Sequence, residues 1–302
     1  MVRAVELNSV CKSYDGVVAV DQLSLTIPEG CIYGLVGPNG AGKTSVLRML
    51  VGIIMPDRGM VRIFGRNFER AHLRIIGYLP EERGLYRKAK VGDLLLYLGE
   101  LKGFSRPATQ QRINDLAERL GMTAALPRRI EELSKGMEQK IQLLTAMIND
   151  PQLLILDEPF AGLDPLNTGL LMQLLLELKQ AGRTILFSSH RMDHVERLCD
   201  EICLINQGRS VVQGTLPELK AQFGGQRVRL IYSGQAPAIG QNGSIESRIE
   251  GDNTVELRIA PDQNPQELLR ALAANTTIMS FQTMELSLEE IFIEALGTCH
   301  AK

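Results

Sequence analysis

The segment GPNGAGKT, residues 37–44, constrains the fold of this chain more than any other. It follows the short apolar segment GCIYGLVG (30–37), which is typical of a buried strand, and it precedes TSVLRMLVGI (44–53), which has the pattern of a helix. The pattern G-x-x-x-x-G-K-[ST] between a strand and a helix predicts a loop whose backbone N–H groups surround phosphate oxygens. A glycine-rich turn that binds nothing is the alternative, and the flanking strand and helix argue against it.

The residues of this loop have distinct predicted roles. Its glycines let the backbone curl around the phosphates. Lys43 supplies a point charge for the β- and γ-phosphates, and Thr44 offers its hydroxyl to Mg²⁺. The predicted nucleotide contacts along the loop are Gly37, Asn39, Gly40, Ala41, Gly42, Lys43, Thr44 and Ser45.

Two carboxylates end a second predicted strand, LLILDE (153–158). Asp157 at the end of the strand can reach Mg²⁺ directly or through water. Glu158, one residue further on, can polarise an attacking water molecule. A strand that simply meets a polar loop is the alternative, and the phosphate-binding loop earlier in the chain favours the catalytic interpretation.

A histidine ends a third predicted strand, RTILFSSH (183–190). Ligands of parallel sheets bind at the carboxyl ends of the strands, so we expect His190 to face the nucleotide and to hold its γ-phosphate and the attacking water. His194 lies four residues further on, a spacing that also suits zinc. Because His190 belongs to the strand end, the two histidines need not share one helix face. An ordinary surface or core histidine is the third interpretation.

The alternation of strand and helix patterns predicts two domains. From about residue 2 to about 220 the alternation is typical of an α/β fold, and the stretch 88–148 is predicted as a helical insertion. We therefore expect one domain over residues 1–221 and a small α+β domain over 222–302, joined at Gly224-Gly225. In the small domain, Asn264 is a predicted helix N-cap, and Ser287 and Glu290 have the spacing of a capping box.

Composition excludes some functions and locations. The net charge of −2 gives no bulk electrostatic attraction to nucleic acid, so no nucleic-acid partner is predicted. The five cysteines have no metal-type or secretory spacing, which is typical of a reduced cytoplasmic protein. No signal peptide is predicted, and the apolar run LLMQLLLEL (170–178) is too short to span a bilayer. We therefore expect this chain to reach a membrane only through a partner.

With the phosphate loop, the LLILDE strand and the histidine in this order, residues 1 to about 220 resemble the ATP-binding subunit of an ABC transporter. The resemblance implies a P-loop NTPase core of the ABC ATPase type, with a helical subdomain at about 88–148, that binds ATP and Mg²⁺ and hydrolyses ATP. It also implies that Tyr14, in KSYDG, stacks on the adenine ring. Asp164, in AGLD, would reach across to a second subunit.

The resemblance also identifies ELSKGMEQ (132–139) as the signature segment of this family. Ser134 and Gly136 would face the γ-phosphate of ATP held by the other subunit, at the N-terminus of the following helix. The segment departs from the usual L-S-G-G-Q, because Lys135 replaces a glycine and Met137 replaces the glutamine. We expect this signature segment to be altered but functional.

A second departure lies in IGYLPEERGLY (76–86), where the family usually has a glutamine that senses Mg²⁺. Glu81 stands at that position and is predicted as a Mg²⁺ ligand. A solvated charge run, EER, is the alternative. The segment YLPEERGLY and the terminal SLEEIFIEAL are similar to those of ABC-2-type exporters, whose ATPases carry a C-terminal extension.

The resemblance therefore implies an ATPase that powers export of an unidentified substrate through a separate membrane-spanning permease, at the cytoplasmic face of the membrane. One chain has one phosphate loop and one signature segment, so a homodimer or a pair with a homologous ATPase subunit is expected. A soluble ABC ATPase of translation or DNA repair is the alternative, but those chains carry two cassettes or a long coiled coil. A P-loop kinase does not account for AGLD, the signature segment and His190 together.

Overall fold

The computed structural model describes residues 3–82, 84–223, 226–234, 245–249, 253–259, 264–274, 276–284 and 286–300. The chain divides into two compact units, Met1–Gly214 and Thr215–Lys302.

The first unit begins with an antiparallel sheet. Its strand order is β2-β1-β4-β5. The strands are β1 (Arg3–Tyr14), β2 (Val17–Pro28), β4 (Arg58–Ile63) and β5 (Arg66–Asn67). The sequence predicted an α/β domain here and did not separate this sheet from the parallel one.

The central sheet of the first unit has six strands in the order β10-β9-β3-β8-β7-β6. They are β3 (Ile32–Val36), β6 (Ile76–Leu79), β7 (Leu153–Asp157), β8 (Thr184–Ser189), β9 (Glu201–Asn206) and β10 (Arg209–Thr215). The pairs β3–β8, β3–β9, β6–β7 and β7–β8 are parallel. Every residue of β3, β7 and β8 is buried, as expected for apolar strands of a parallel sheet covered on both faces.

Six α-helices belong to the first unit among the described residues. They are α1 (Lys43–Leu50), α2 (Val91–Leu101), α3 (Arg106–Arg119), α4 (Lys135–Met147), α5 (Pro165–Gln180) and α6 (Met192–Leu198). Short 3₁₀ turns lie at Arg70–Arg74, Thr123–Ala125 and Ile130–Glu132. Helices α2, α3 and α4 contact one another and lie inside the stretch 88–148.

The two sheets of the first unit share one hydrophobic core, and α1 packs against both. Leu7 and Val20 come from the antiparallel sheet, Leu47 from α1, and Ile155 and Leu186 from the parallel sheet; all are at most 1% exposed. Burial of each such side chain stabilises the fold by about 1.5–3 kcal/mol. The start of α1 is therefore fixed beside the carboxyl ends of β3 and β7.

The second unit is a four-stranded antiparallel sheet with helices, in the strand order β12-β13-β11-β14. Its elements are α7 (Leu216–Phe223), β11 (Gln226–Ser233), β12 (Ile245–Ile249), β13 (Thr254–Ile259), α8 (Pro265–Ala273), β14 (Thr277–Met284) and α9 (Leu288–His300). Leu268 and Leu272 of α8 pack on the apolar face formed by β11 and β13. This arrangement is the small α+β domain that the sequence predicts.

The predicted helix caps of the second unit are present. The side chain of Asn264 accepts a hydrogen bond from the Gln266 N–H at 2.9 Å. The Ser287 hydroxyl accepts from the Glu290 N–H at 3.3 Å, and the Glu290 carboxylate accepts from the Ser287 N–H at 2.9 Å. These reciprocal bonds form the capping box expected at the start of α9.

The boundary between the units differs from the predicted one. The sequence placed it after residue 221, which lies inside α7, whereas the structure groups the whole of α7 with the second unit. Leu219 of α7 is buried, and α7 packs against α9. The predicted joint at Gly224-Gly225 lies outside the described residues.

Candidate active site

The phosphate-binding loop connects β3 to α1, as predicted. Two of its glycines lie too close to other backbone for any larger residue. A Cβ added to Gly37 would lie 2.1 Å from the Ile205 carbonyl oxygen, and one added to Gly42 would lie 2.3 Å from the Ala19 oxygen. Gly42 also has a φ of +102°, a left-handed conformation that favours glycine. The curl of the loop therefore depends on glycine at both positions.

Lys43 is held over this loop. Its Nζ donates hydrogen bonds to the Gly37 carbonyl at 2.7 Å and to the Pro38 carbonyl at 3.1 Å, and it lies 3.9 Å from Glu158 Oε1. Burial lowers the pKa of Lys43, because removal from water disfavours the charged form, while the nearby carboxylates of Glu158, Asp157 and Glu81 oppose that shift. The ammonium group thus lies between the loop carbonyls and the carboxylates.

Ser188 holds the two carboxylate residues at the end of β7. Its hydroxyl donates to Asp157 Oδ1 at 2.5 Å and accepts from the Glu158 N–H at 3.0 Å. Asp157 is 1% exposed, and its Oδ2 atom has no hydrogen-bond partner among the described residues. Glu158 has a φ of +48°, and a residue other than glycine held there stores on the order of 1 kcal/mol of strain. The bond from Ser188 helps to keep Glu158 in this conformation.

His190 follows β8 directly and contacts Glu158. Its Nδ1 lies 2.9 Å from Glu158 Oε1. His194 instead lies inside α6, 3% exposed, with its ring packed edge-on against Phe160 at 4.7 Å between ring centroids. The described residues contain no group of three or more His, Cys, Asp or Glu side chains placed to bind a metal. The zinc interpretation of the two histidines therefore gains no support.

One cavity of about 290 Å³ collects most of the predicted site residues. It is lined by loop residues 39–45 together with Tyr14, Ala19, Glu81, Asp157 and Glu158. Tyr14 is partly exposed at the rim, and its hydroxyl donates to Ser45 Oγ at 3.4 Å. A concave site with one ammonium group, three carboxylates and a glycine-rich loop suits a phosphate-bearing ligand and a cation.

Ser134, Gly136 and Asp164 do not line this cavity. Ser134 is the N-cap of α4, and its hydroxyl accepts from the Met137 N–H at 3.3 Å. A Cβ added to Gly136 would lie 3.6 Å from the Gly162 carbonyl oxygen, so the start of α4 adjoins the AGLD segment. These residues therefore form a second cluster, separate from the phosphate-binding loop of the same chain.

Asp164 is the N-cap of α5. Its carboxylate accepts from the Asn167 N–H at 2.9 Å and from the Asn167 side-chain amide at 2.6 Å. The hydrogen bond from the Asn167 backbone N–H is the main cause that lowers the pKa of Asp164, because it stabilises the ionised form. Asp164 is exposed, and it contributes a carboxylate that is ionised at neutral pH to the second cluster.

Ser188 was missed in the sequence. The only signal was a pair of hydroxyl residues, Ser188 and Ser189, directly after the apolar run ILF of strand TILFSS. Both are at most 1% exposed, and a hydroxyl buried in a strand needs a hydrogen-bond partner. That requirement would have indicated a polar neighbour but not the identity of the neighbour.

Comparison with known proteins agrees with this fold. A family model described as ABC transporter matches residues 20–161, and one described as ATP-binding protein DrrA1-3-like, C-terminal domain, matches residues 214–296. An uncharacterized ABC transporter ATP-binding protein of Bacillus subtilis (strain 168), YhaQ, is 42% identical over 97% of this chain and 99% of its own length. The daunorubicin/doxorubicin resistance ATP-binding protein DrrA of Streptomyces peucetius is 31% identical over 98% of this chain and 93% of its own length.

A solved structure described as the ATP binding subunit of an ABC transporter is also similar. It matches 73% of this chain and 93% of its own chain with a TM-score of 0.68 and 30% sequence identity. Together with the geometry of the loop, these matches define a P-loop ATPase of the ABC type. The chain belongs to the family of ABC transporter ATP-binding proteins, and it binds and hydrolyses ATP. The predicted family and fold class are thereby confirmed.

The structure contains no candidate for a membrane crossing among the residues it describes, because none of their helices combines the necessary length and apolarity.

Proposed function

We propose that Mg·ATP binds in the cavity around residues 39–45, that two copies of the chain complete each other's sites, and that hydrolysis drives export through a separate membrane-spanning permease. The observation that carries the proposal is the convergence of Lys43, Asp157 and Glu158 in one cavity, with His190 bonded to Glu158. These are the groups that phosphoryl transfer to water requires: a phosphate cradle, a cation site and a residue that orients water.

The donor set of the cavity fits Mg²⁺. Asp157 Oδ2 is a buried carboxylate oxygen with no hydrogen-bond partner among the described residues, and such an atom is costly to leave unpaired. Thr44 and Glu81 line the same cavity and offer a hydroxyl and a carboxylate, the hard oxygen ligands that Mg²⁺ prefers. When bound, the ion would neutralise charge on the phosphates.

The chemistry of the chain's own residues follows from their contacts. Lys43 exchanges its bonds to the Gly37 and Pro38 carbonyls for the β- and γ-phosphate oxygens. Glu158 accepts a hydrogen bond from the attacking water and directs its lone pair at the γ-phosphorus. His190, bonded to Glu158, fixes the orientation of that carboxylate and reaches the γ-phosphate. Tyr14 at the rim stacks on the adenine ring.

The second cluster supports a composite site. Ser134, Gly136 and Asp164 lie outside the cavity of their own chain, yet the N-terminus of α4 presents free N–H groups and partial positive charge. Such a helix end suits the γ-phosphate of ATP held by a second copy. A head-to-tail pair would supply one such helix end to each of its two cavities.

The inference of a permease partner and of export as the direction of transport rests on similar proteins. Those relatives include a drug-resistance ATP-binding protein that matches nearly the whole chain, and the C-terminal unit matches the DrrA-like family. We infer that this chain acts at the cytoplasmic face of the membrane and exports a substrate that its permease selects. The second unit serves dimer contact or regulation, because every nucleotide residue named above lies in the first unit.

The test compares Lys43→Ala with Lys102→Ala. Lys43 is buried and Lys102 is half-buried, and burial lowers the pKa of both. Lys102 Nζ donates to the Leu73 carbonyl at 2.9 Å, away from the cavity. Lys43→Ala is expected to weaken Mg·ATP binding at least about tenfold and to abolish turnover, whereas Lys102→Ala retains both. Equal effects from the two variants would refute the proposed site.

A second variant separates binding from chemistry. Glu158→Gln keeps the size of the side chain and removes the charge that polarises water, so ATP binding persists while turnover falls by about 10²-fold or more. With ATP bound and not hydrolysed, the variant elutes as a dimer in gel filtration. Wild-type turnover would remove Glu158 from this role, and loss of ATP binding would indicate a metal ligand instead.

A further inference from the structure

Two buried glutamines lie on one face of α4, the helix that begins at the signature segment. Gln139 is 5% exposed and Gln142 is 2% exposed. Residues three apart on a helix lie on the same face, one turn along the axis. Glutamine is rarely buried this deeply, because its amide must then find protein partners.

Each glutamine donates to a backbone carbonyl next to a carboxylate of the nucleotide cavity. Gln139 Nε2 donates to the Pro159 oxygen at 3.2 Å, and Pro159 follows Glu158. Gln142 Nε2 donates to the Glu82 oxygen at 3.3 Å, and Glu82 follows Glu81. One face of one helix therefore holds the backbone of both segments.

The helix that carries these two glutamines begins at the signature segment. Ser134 caps the helix, and Gly136 adjoins the Gly162 backbone. The helix runs from Lys135 to Met147, a rise of about 20 Å that moves as one rigid element. Any displacement of its N-terminus therefore reaches Gln139 and Gln142, and through them the segments that carry Glu158 and Glu81.

We propose that Gln139 and Gln142 are positioning residues that couple the start of α4, where the partner's nucleotide binds, to the two carboxylates of their own chain. The inference rests on the proposed roles of Glu158 and Glu81 and adds a means by which occupancy of one site acts on the other. ATP bound by the partner positions α4, and α4 positions the carboxylates that act on the chain's own ATP. The glutamines touch neither nucleotide.

The first experiment replaces each glutamine by methionine, which has similar length and cannot donate a hydrogen bond. Gln139→Met and Gln142→Met are expected to lower kcat about tenfold while KM for ATP changes by less than about twofold. Gln110→Met is the matched control, because Gln110 is an exposed helix glutamine whose one side-chain bond among the described residues goes to Asn114 of the same helix, at 3.0 Å. Unchanged kcat in both α4 variants would overturn the proposal.

The second experiment distinguishes a role in positioning the carboxylates of the same chain from simple support of the signature helix. Mixing Ser134→Arg chains with Lys43→Ala chains leaves one competent site, formed by the loop of the first chain and the signature segment of the second. Gln142→Met is then placed in either chain. A role in positioning the carboxylates of the same chain predicts the larger loss of turnover when Gln142→Met lies in the chain with the intact loop, because that chain supplies the carboxylates. A larger loss from the chain with the intact signature segment would overturn the proposal.

One further substitution separates loss of the hydrogen bond from loss of stability, and a comparison with Lys43→Ala separates this inference from the proposed function. Gln142→Leu also removes the amide donor and places no charge at this buried position, so it is expected to reproduce the kcat loss of Gln142→Met. Wild-type kcat in a folded Gln142→Leu chain would refute the proposal. If Lys43→Ala is inactive while the α4 variants are fully active, this inference alone fails. If Lys43→Ala hydrolyses ATP normally, the proposed function fails first.

Discussion

Replacing Ser188 by alanine removes one hydroxyl that has two partners. The hydroxyl donates to Asp157 Oδ1 at 2.5 Å and accepts from the Glu158 N–H at 3.0 Å, and Ser188 is 0% exposed. A hydrogen bond to a charged group contributes about 1.5–3 kcal/mol, and a buried N–H left without a partner costs about 1–3 kcal/mol. Because the two terms share one side chain, we expect Ser188→Ala to reduce the free energy of unfolding by about 3 kcal/mol.

Ser189→Ala is the control for this substitution. Ser189 is the next residue of the same strand and is 1% exposed, and its hydroxyl accepts one bond, from the Arg191 N–H at 3.0 Å. Losing that neutral bond costs about 1 kcal/mol. The difference of about 2 kcal/mol corresponds to a melting temperature about 4–8 °C lower for Ser188→Ala than for Ser189→Ala.

The assay is thermal unfolding of the full chain, followed by circular dichroism in EDTA without nucleotide, so that no ligand bound to Asp157 offsets the loss. The same two variants are then compared in ATP turnover, where Ser188→Ala is expected to lower kcat because Glu158 loses the bond that holds its backbone. If Ser188→Ala melts no lower than Ser189→Ala, the hydroxyl does not hold the carboxylates in the way the structure indicates.

Three further predictions concern the signature helix, a buried histidine and the second unit. The methyl group of Gly136→Ala meets an ordinary contact at 3.6 Å, and the substitution is expected to raise helix stability by about 0.5 kcal/mol. ATP turnover of the dimer is nevertheless expected to fall, because the methyl group occupies the place where the partner's phosphate approaches. Unchanged turnover would mean that no phosphate approaches Gly136. Burial lowers the pKa of His194 below its usual value of about 6.5, so the unfolded chain binds the proton first and the stability of the fold decreases as pH falls from about 6.5. His194→Leu is expected to flatten the resulting decrease in melting temperature between pH 7 and 5. If the decrease is unchanged, groups other than His194 cause it. A chain ending at Gly214 is expected to bind Mg·ATP with unchanged affinity by calorimetry, and a folded truncation that cannot bind it would contradict a nucleotide site confined to the first unit.

Local sequence signals predicted the elements around the nucleotide site well. The glycine-rich loop, the apolar strands β3, β7 and β8, and the helices of the 88–148 stretch all have patterns that short-range physics determines. The same holds for the caps at Asn264 and Ser287, where one side chain satisfies nearby backbone groups. These features need no knowledge of distant parts of the chain.

Long-range pairing was not predictable from those patterns. β1 pairs with both β2 and β4, and β4 lies beyond the phosphate-binding loop, so an alternating sequence gave no indication that a separate antiparallel sheet forms. β6, only four residues long, lies before the helical stretch and is placed in the sheet by its pairing with β7. α7 likewise joins the second unit through its contact with α9, which begins more than sixty residues later in the chain.

The site was predictable in its residue types and not in its internal bonds. Lys43, Asp157, Glu158 and Glu81 were identified from motifs and do line one cavity. Ser188 bonds to Asp157 and Glu158, and the glutamines of α4 bond to the carbonyls of Pro159 and Glu82, which follow Glu158 and Glu81; all three are ordinary polar residues in sequence. Only the fold brings those side chains within hydrogen-bond distance of the segments they hold.

The composite site is the central claim, and mixing two inactive variants tests it most directly. Ser134 is exposed in the single chain, so the larger side chain of Ser134→Arg has room there. Ser134→Arg also removes the side-chain cap of α4. Ser287→Ala is the control for that loss, because it removes the equivalent capping bond of α9 in the second unit. Each cap loss costs about 1 kcal/mol of helix stability. Ser287→Ala is expected to keep wild-type turnover.

The measurement is the ATP turnover of an equimolar mixture of Ser134→Arg and Lys43→Ala chains, against each variant alone. Each variant alone is expected to lose about 10²-fold or more of the turnover, while Ser134→Arg still binds ATP as a monomer. Mixing is expected to restore turnover to at most about a quarter of the wild-type rate, because half of randomly formed dimers are mixed and each has one of two sites intact. The proposed coupling through α4 lowers the rate below this limit, because the Lys43→Ala chain does not hold the ATP that positions α4 of its partner. A mixture no more active than its components, or a Ser134→Arg chain that hydrolyses ATP normally, would contradict a site shared between two copies.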